Sequence, residues 1–289
     1  MEKSTEFTMK LSGTEFDEGF NLYHLSKTLS NISSLIDKSY LTIEDKQKMT
    51  DKDRDILQVK TYNVRTGSFE ADFVIQLGTV SASLLPMVSS LTPDEVWKLL
   101  RDSYSYLNTV LQGNSKGENY TLEVADSNNV FNVINNTGSI VLQVHPDVLR
   151  NVERAEGNFE QMARLINPEK GVESISVFEK VSKKQHFFMG REEKMNFESR
   201  KRLESESITF LGKILTIDGV GFNGKLQVTS DIEGLKSGEY RYEFLTKDDT
   251  EMLRSAFMEV KEIVALRETI LNTSTLTQRV NKLRIIKVK

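Results

Sequence analysis

The stretch DGVGFNG, Asp218 to Gly224, sets Gly219, Gly221 and Gly224 in the spacing G-x-G-x-x-G. That spacing does chemistry when the glycines join a strand to a helix, because the helix N-terminus then faces a dinucleotide pyrophosphate. Here a strand precedes the glycines, but GKLQVTS follows, with β-branched residues and no helical period. No βαβ setting places an acidic partner for a ribose. Asp218-Gly219 and Asn223-Gly224 are both turn dipeptides, so the stretch reads as a hairpin loop. No cofactor is expected.

The other reactive side chains are sparse. The three histidines, His24, His145 and His186, share no metal-ligand spacing, and H-E-x-x-H and G-x-x-x-x-G-K-[ST] are missing from the sequence. A Ser–His–Asp triad assembled through space is not readable from order alone. Asp51 to Asp55 (DKDRD) resembles part of a calcium loop without its glycine and terminal glutamate. There is no cysteine, which removes disulfides, thiol nucleophiles and thiolate metal sites. No metal and no catalytic residue is expected, and the chain reads as a non-enzyme.

One stretch stands apart, KKQHFFMGREEKMNFESRKRLE over residues 183–204. It carries seven cations against four carboxylates in a chain of net charge −4. Lys183, Lys184, Arg191, Arg200, Lys201 and Arg202 lie among Phe187 and Phe188. Stacking aromatics beside phosphate-pairing cations are how single-stranded nucleic acid is held. Arg, Phe and Met are also favoured at protein interfaces. These eight residues are the candidate contact site, for a protein partner or for a nucleic acid. Residues 205–289 carry 13 cations and 12 carboxylates, a smaller excess than a phosphate-tracking groove usually shows.

The elements that must position this stretch fall into an α+β pattern. Residues 5–13 read as a strand. A helix follows from near Asp17, with Leu22, Leu25, Leu29, Ile32 and Ile36 on one stripe; this predicts a core-facing helix or a short coiled-coil seam. After the charged loop 44–55 come two strands, ILQVKTYNV and SFEADFVIQL, joined through Gly67. A helical region then begins. Its second half opens on SSLTPDEVWKLL, where Thr92, Pro93 and Glu95 form a capping-box signal and Gly113 offers a stop. Residues 1–116 thus read as a β-α-β-β-α-α module.

Residues 117–182 read as a β-meander of three short strands (YTLEV, VFNVI, SIVLQV), then a helix after His145-Pro146, then a possible strand SISVFEKVS. Residues 183–204 read as a basic connector. Residues 205–289 read as three strands, a helix beginning at Asp248-Asp249, and two strands. That is the element order of an OB-like barrel, shared in part by SH3-like and other small barrels. Tyr240, Tyr242 and Phe244 alternate at strand period, so they face either a ligand or the core. Hydrophobic residues at 38% and charged residues at 28% fit folded cores. No window approaches a spanning helix and no signal peptide is evident, so a cytoplasmic protein without membrane contact is expected.

The opening strand and helix (FTMKLSG…FNLYHLSKTL), the charged loop and the hairpin ending GSFEADFVIQL resemble a family of uncharacterised bacterial and phage proteins. GKILTID…GEYRYEF…EIVAL is similar to them as well. The resemblance implies a mobile-element or defence-island setting and supplies no catalytic residues. The expectation is a non-catalytic interaction protein of phage–host conflict that binds a protein partner and forms a homo-oligomer. The alternative is a nucleic-acid-binding protein using the connector and the barrel.

Overall fold

A computed structural model describes residues 4–16, 19, 21–65, 68–78, 91–118, 120–124, 131–136, 139–218, 222–245 and 257–289. It is a mixed α+β structure whose C-terminal part is a closed five-stranded barrel. The chain forms two compact units: residues 1–199 with Thr273–Thr275, and residues 200–272 with 276–289. These units do not follow the four segments read from the sequence, because strands from three of those segments share one sheet or one barrel.

Unit 1 is built on the sheet order β2-β3-β1-β7-β8. Its strands are β1 (Ser4–Ser12), β2 (Leu57–Arg65), β3 (Phe69–Leu77), β7 (Ser174–Glu179) and β8 (Gln185–Met189). One face carries Phe7, Met9, Ala71, Ile75, Ile175 and Val177, each no more than 1% exposed. Trp97 stacks on Phe7 at 4.5 Å from that face. β7 lies antiparallel to β1, so the strand after the middle helix completes the N-terminal sheet.

Three long helices pack together: α1 (Leu22–Ile43), α3 (Pro93–Lys116) and α4 (Pro146–Leu165). In α3 the Thr92–Glu95 capping box forms, and Val96, Leu99, Leu100, Tyr104, Leu107, Val110 and Leu111 are all buried. The helix does not stop at Gly113. It continues to Gly117, which takes the left-handed conformation at φ 71°. Gly113 instead leaves room for the Tyr120 ring, which a Cβ there would strike. α1 starts at an Asn21 cap, and Ile32, Leu35 and Ile36 are buried while Leu22 is 77% exposed. The expected start at Asp17 lies outside the described residues, as do Gly67 and the helical region before residue 91.

The three helices meet at a buried polar hub. The Asn151 side chain on α4 donates to Ser39 Oγ on α1 (3.1 Å) and to Ser103 Oγ on α3 (2.9 Å), and accepts from Thr42 Oγ1 (3.3 Å). Asn151, Ser39 and Ser103 are fully buried. A hub of this kind rewards one mutual register of the helices, since any slip strands a buried amide. Asn151→Ala is expected to cost about 1–3 kcal/mol. Denaturation followed by the fluorescence of Trp97, the single tryptophan, measures it.

The charged loop contains a helix that its composition hides, α2 (Asp51–Ile56), closed by a Thr50–Asp53 capping box. Asp53 is 2% exposed and accepts from Tyr40 (2.9 Å), Lys46 (2.6 Å) and Thr50. Burial works to raise its pKa, but the hydrogen bonds from Lys46, Thr50 and Tyr40 outweigh it and hold the carboxyl well below the usual range. Burial and Asp53 push the Tyr40 hydroxyl up to about 12. A folded pKa below the unfolded one stabilises above the unfolded value, about 3.9, and that stability is lost as pH falls further. Asp53→Asn is therefore expected to destabilise unit 1 at pH 7, and the gap to the wild type should shrink below about pH 4. Paired denaturation curves between pH 3 and pH 7 test this.

The smaller sheet comprises β4 (Tyr120–Val124), β5 (Phe131–Asn136) and β6 (Ser139–Val144). It is not a meander. Its order is β4-β6-β5, with β4 parallel to β6. β6 takes the centre, and its Leu142 and Val144 are fully buried.

Unit 2 is a ring in the order β10-β11-β13-β12-β9. Its strands are β9 (Lys201–Asp218), β10 (Asn223–Val228), β11 (Gly238–Phe244), β12 (Lys261–Asn272) and β13 (Thr277–Val288). All neighbours are antiparallel except β11 and β13. Ile214, Leu226, Tyr242, Ile263, Ala265, Leu283 and Ile285 fill the interior. The helix read from Asp248 falls mostly outside the described residues. Its last part is not helical: Phe257 makes a parallel bridge to Ile214.

Candidate functional site

The eight residues singled out in the sequence do not lie on a connector. Lys183, Lys184, Phe187, Phe188 and Arg191 belong to unit 1, and Arg200, Lys201 and Arg202 to unit 2. Lys183 takes φ 57° in the turn between β7 and β8, and Lys184 beside it is exposed. Phe187 is 3% exposed, its ring 4.2 Å from that of Tyr104 and 6.0 Å from that of Phe159. It is a core residue, unavailable to a partner. Phe188, its neighbour on the strand, turns to the other face and is 40% exposed. Arg191 opens the short helix α5 (Arg191–Glu198) and is exposed.

Arg200 is also removed from solvent, at 6% exposure, with its Nε donating to the Leu271 carbonyl at 2.8 Å. Lys201 and Arg202 pair through their backbones with Ile270 and Thr269 of β12 and keep exposed side chains. Of the eight, Phe187 and Arg200 are structural, and the remaining six reach solvent.

The histidines have local roles. His145 caps α4, its Nδ1 accepting from the Asp147 amide at 3.2 Å. His186 is bulged toward Trp97, 6.4 Å between rings. Burial and the nearby Arg101 lower its pKa against the pull of Glu179. Among the described residues no group of three His, Asp or Glu is placed to hold a metal ion.

The glycine stretch joins two paired strands. β9 and β10 are antiparallel on either side of it, with Asp218 opposite Asn223. Phe222 takes φ 49° and donates its amide to the Asp218 carbonyl at 3.0 Å. Gly219 and Gly221 lie outside the described residues. A Cβ on Gly224 would come within 2.0 Å of the Thr216 carbonyl oxygen, so this glycine permits close backbone approach.

The barrel aromatics face inward. Tyr242 is 1% and Phe244 6% exposed, and burial pushes the Tyr242 hydroxyl up to about 12. Outside, much of the wall is a ladder of paired charges. Glu243 accepts from Lys282 (2.8 Å) and Arg284 (2.7 Å), Glu268 from Arg284 (2.6 Å) and Asn281 (2.7 Å), and Glu204 from Arg267 (2.6 Å). The hydrogen bond from Lys282 leads the causes that hold Glu243 below its ordinary pKa.

A second part of that wall is different, and composition alone had not marked it. Along β9, Phe210, Gly212 and Ile214 turn in, while Leu211, Lys213 and Leu215 turn out. Beside them run Phe257, Met258 and Val260, 47%, 60% and 54% exposed, and Leu211 is 50% exposed. Leu215, Thr216, Ile217 and Phe257 line a shallow depression of about 470 Å³. The signal was present in ITFLGKILTI, which is apolar at both strand periods and so carries an apolar outer face.

Comparison with family models, with curated proteins and with solved structures finds no match. Among the described residues no helix is long and apolar enough to cross a membrane.

Proposed function

We propose that this chain is a non-catalytic interaction protein that binds a protein partner and a second copy of itself, with an OB-like barrel as unit 2. The setting is phage–host conflict, as defence or counter-defence, in the cytoplasm, or in the host cytoplasm if the chain is phage-encoded. The setting rests on the resemblance of the N-terminal and barrel segments alone. The OB-like reading is supported by the closed five-strand ring with its single parallel pair.

The observation that carries the choice of partner is where the barrel puts its aromatics and its charges. On the wall of β11, β13 and β12, Tyr242 and Phe244 are inside, and the cations Lys282, Arg284 and Arg267 are engaged by carboxylates. A single-strand surface needs the opposite, stacking rings outside and cations free for phosphate. Exposed aliphatic side chains such as Leu211 and Val260 suit a protein surface. Fluorescence anisotropy with a labelled 20-nucleotide single strand tests the alternative. The expected result is no binding tighter than about 100 μM at physiological salt. Micromolar or tighter affinity that falls steeply with salt would establish the nucleic-acid reading.

A further inference from the structure

We propose that the outer wall formed by β9, the adjoining edge of β10–β11 and residues 257–260 is a docking surface for an acidic, amphipathic segment of a partner protein. The inference rests on the protein-binding reading and names the site and the chemistry of its ligand. Leu211, Leu215, Phe257 and Val260 form the apolar strip, and the depression between Leu215 and Phe257 admits one large apolar side chain. Anchors of this kind supply most of an interface's affinity.

The charge of the ligand follows from the cations along the strip. Lys213 projects from β9 between Leu211 and Leu215, in register with Gln227. Lys225 and Arg241 sit directly opposite each other on β10 and β11, both exposed. Like charges at opposed positions destabilise a sheet. Among the described residues neither Lys213 nor Arg241 has a carboxylate partner. Lys225 reaches Glu239 only at 3.8 Å, with both side chains 60% exposed. Among the described residues, Glu259 beside Val260 is engaged by Lys261 (3.5 Å), and Glu262 opposite Leu211 by Lys289 (2.5 Å). The neighbouring wall neutralises its own cations; here, among the described residues, Lys213 and Arg241 are left for a ligand and Lys225 is only loosely held by Glu239. Nucleic acid offers anions too, but Phe257 is a lone ring among the aliphatic Leu211, Leu215 and Val260, whereas a single strand is held by a succession of stacking aromatics.

The test uses the full chain and three labelled probes: a 16-residue amphipathic peptide of Glu, Leu and Phe, the same peptide with Lys for every Glu, and a 20-nucleotide single strand. The acidic peptide is expected to bind at least tenfold tighter than either other probe. It should shift the amide resonances of residues 211–217 and 257–260. The triple variant Lys213→Glu, Lys225→Glu, Arg241→Glu should reverse the preference between the two peptides, with an unchanged circular dichroism spectrum. Equal binding of both peptides, tighter binding of the oligonucleotide, shifts confined to other residues, or no binding would overturn the proposal. Quantitative pull-downs with wild type and triple variant separate its failure from that of the broader reading. A partner retained by both chains sinks this site alone, whereas no partner above the tag control with wild type sinks protein binding itself.

Discussion

Phe187→Ala is expected to lower the stability of unit 1 by about 3–5 kcal/mol, the range for removing a buried phenylalanine. The ring is 3% exposed and packs against Tyr104 and Phe159, so truncation leaves a cavity between the sheet and two helices. Phe188→Ala, one residue on, is expected to cost about 1 kcal/mol, since its ring is 40% exposed on the other face of the strand and only partly covered, beside Gly190. Trp97 stacks on Phe7 in the same core and reports the unfolding of this unit. Near-equal shifts in the denaturation midpoint for the two variants would contradict the placement of Phe187. The contrast also governs how binding data are read, because a Phe187 variant that loses a partner has lost its fold first.

The second large effect lies in the barrel. Gly224→Val is expected to cost about 3 kcal/mol, at the upper end of overpacking penalties. The obstacle is backbone: the Thr216 carbonyl would lie 2.0 Å from the new Cβ. That carbonyl cannot swing aside freely, since it accepts from the Tyr242 hydroxyl at 3.1 Å, while Thr216 Oγ1 accepts from the Lys225 amide at 2.9 Å. Amide hydrogen exchange in β9 and β10 should accelerate on the scale of that loss. Unchanged protection would show that the position tolerates a side chain. This glycine thus has a demanding structural reason to be there.

What the sequence disclosed follows the range of each interaction. The α3 helix was legible because its cap and its stripe are local, within residues 92–111. The barrel strands were legible because period-2 alternation is local too. The place of β7 beside β1 was not, since it depends on a pairing across more than 160 residues that no window sees. The parallel contact of β4 with β6 escaped for a different reason: it skips the intervening β5, which pairs with β6, whereas successive short strands read as a meander. α2 was hidden because a six-residue helix has no stripe and its cap partner is Asp53 rather than Glu or Gln. In the candidate site, composition grouped Phe187 with Phe188 and Arg200 with Lys201. Strand geometry separates the first pair onto opposite faces, and burial separates the second. The apolar outer face of ITFLGKILTI was readable and marks the barrel wall better than the basic stretch did.

Binding of a protein is the centre of the account. Native mass spectrometry of the tagged full chain, isolated from its source cells after nuclease treatment, tests it most directly. The expected species is a complex heavier than multiples of the 33.0 kDa chain by the mass of another protein. A species of 33.0 kDa alone, or one whose added mass is a protected oligonucleotide, would contradict it.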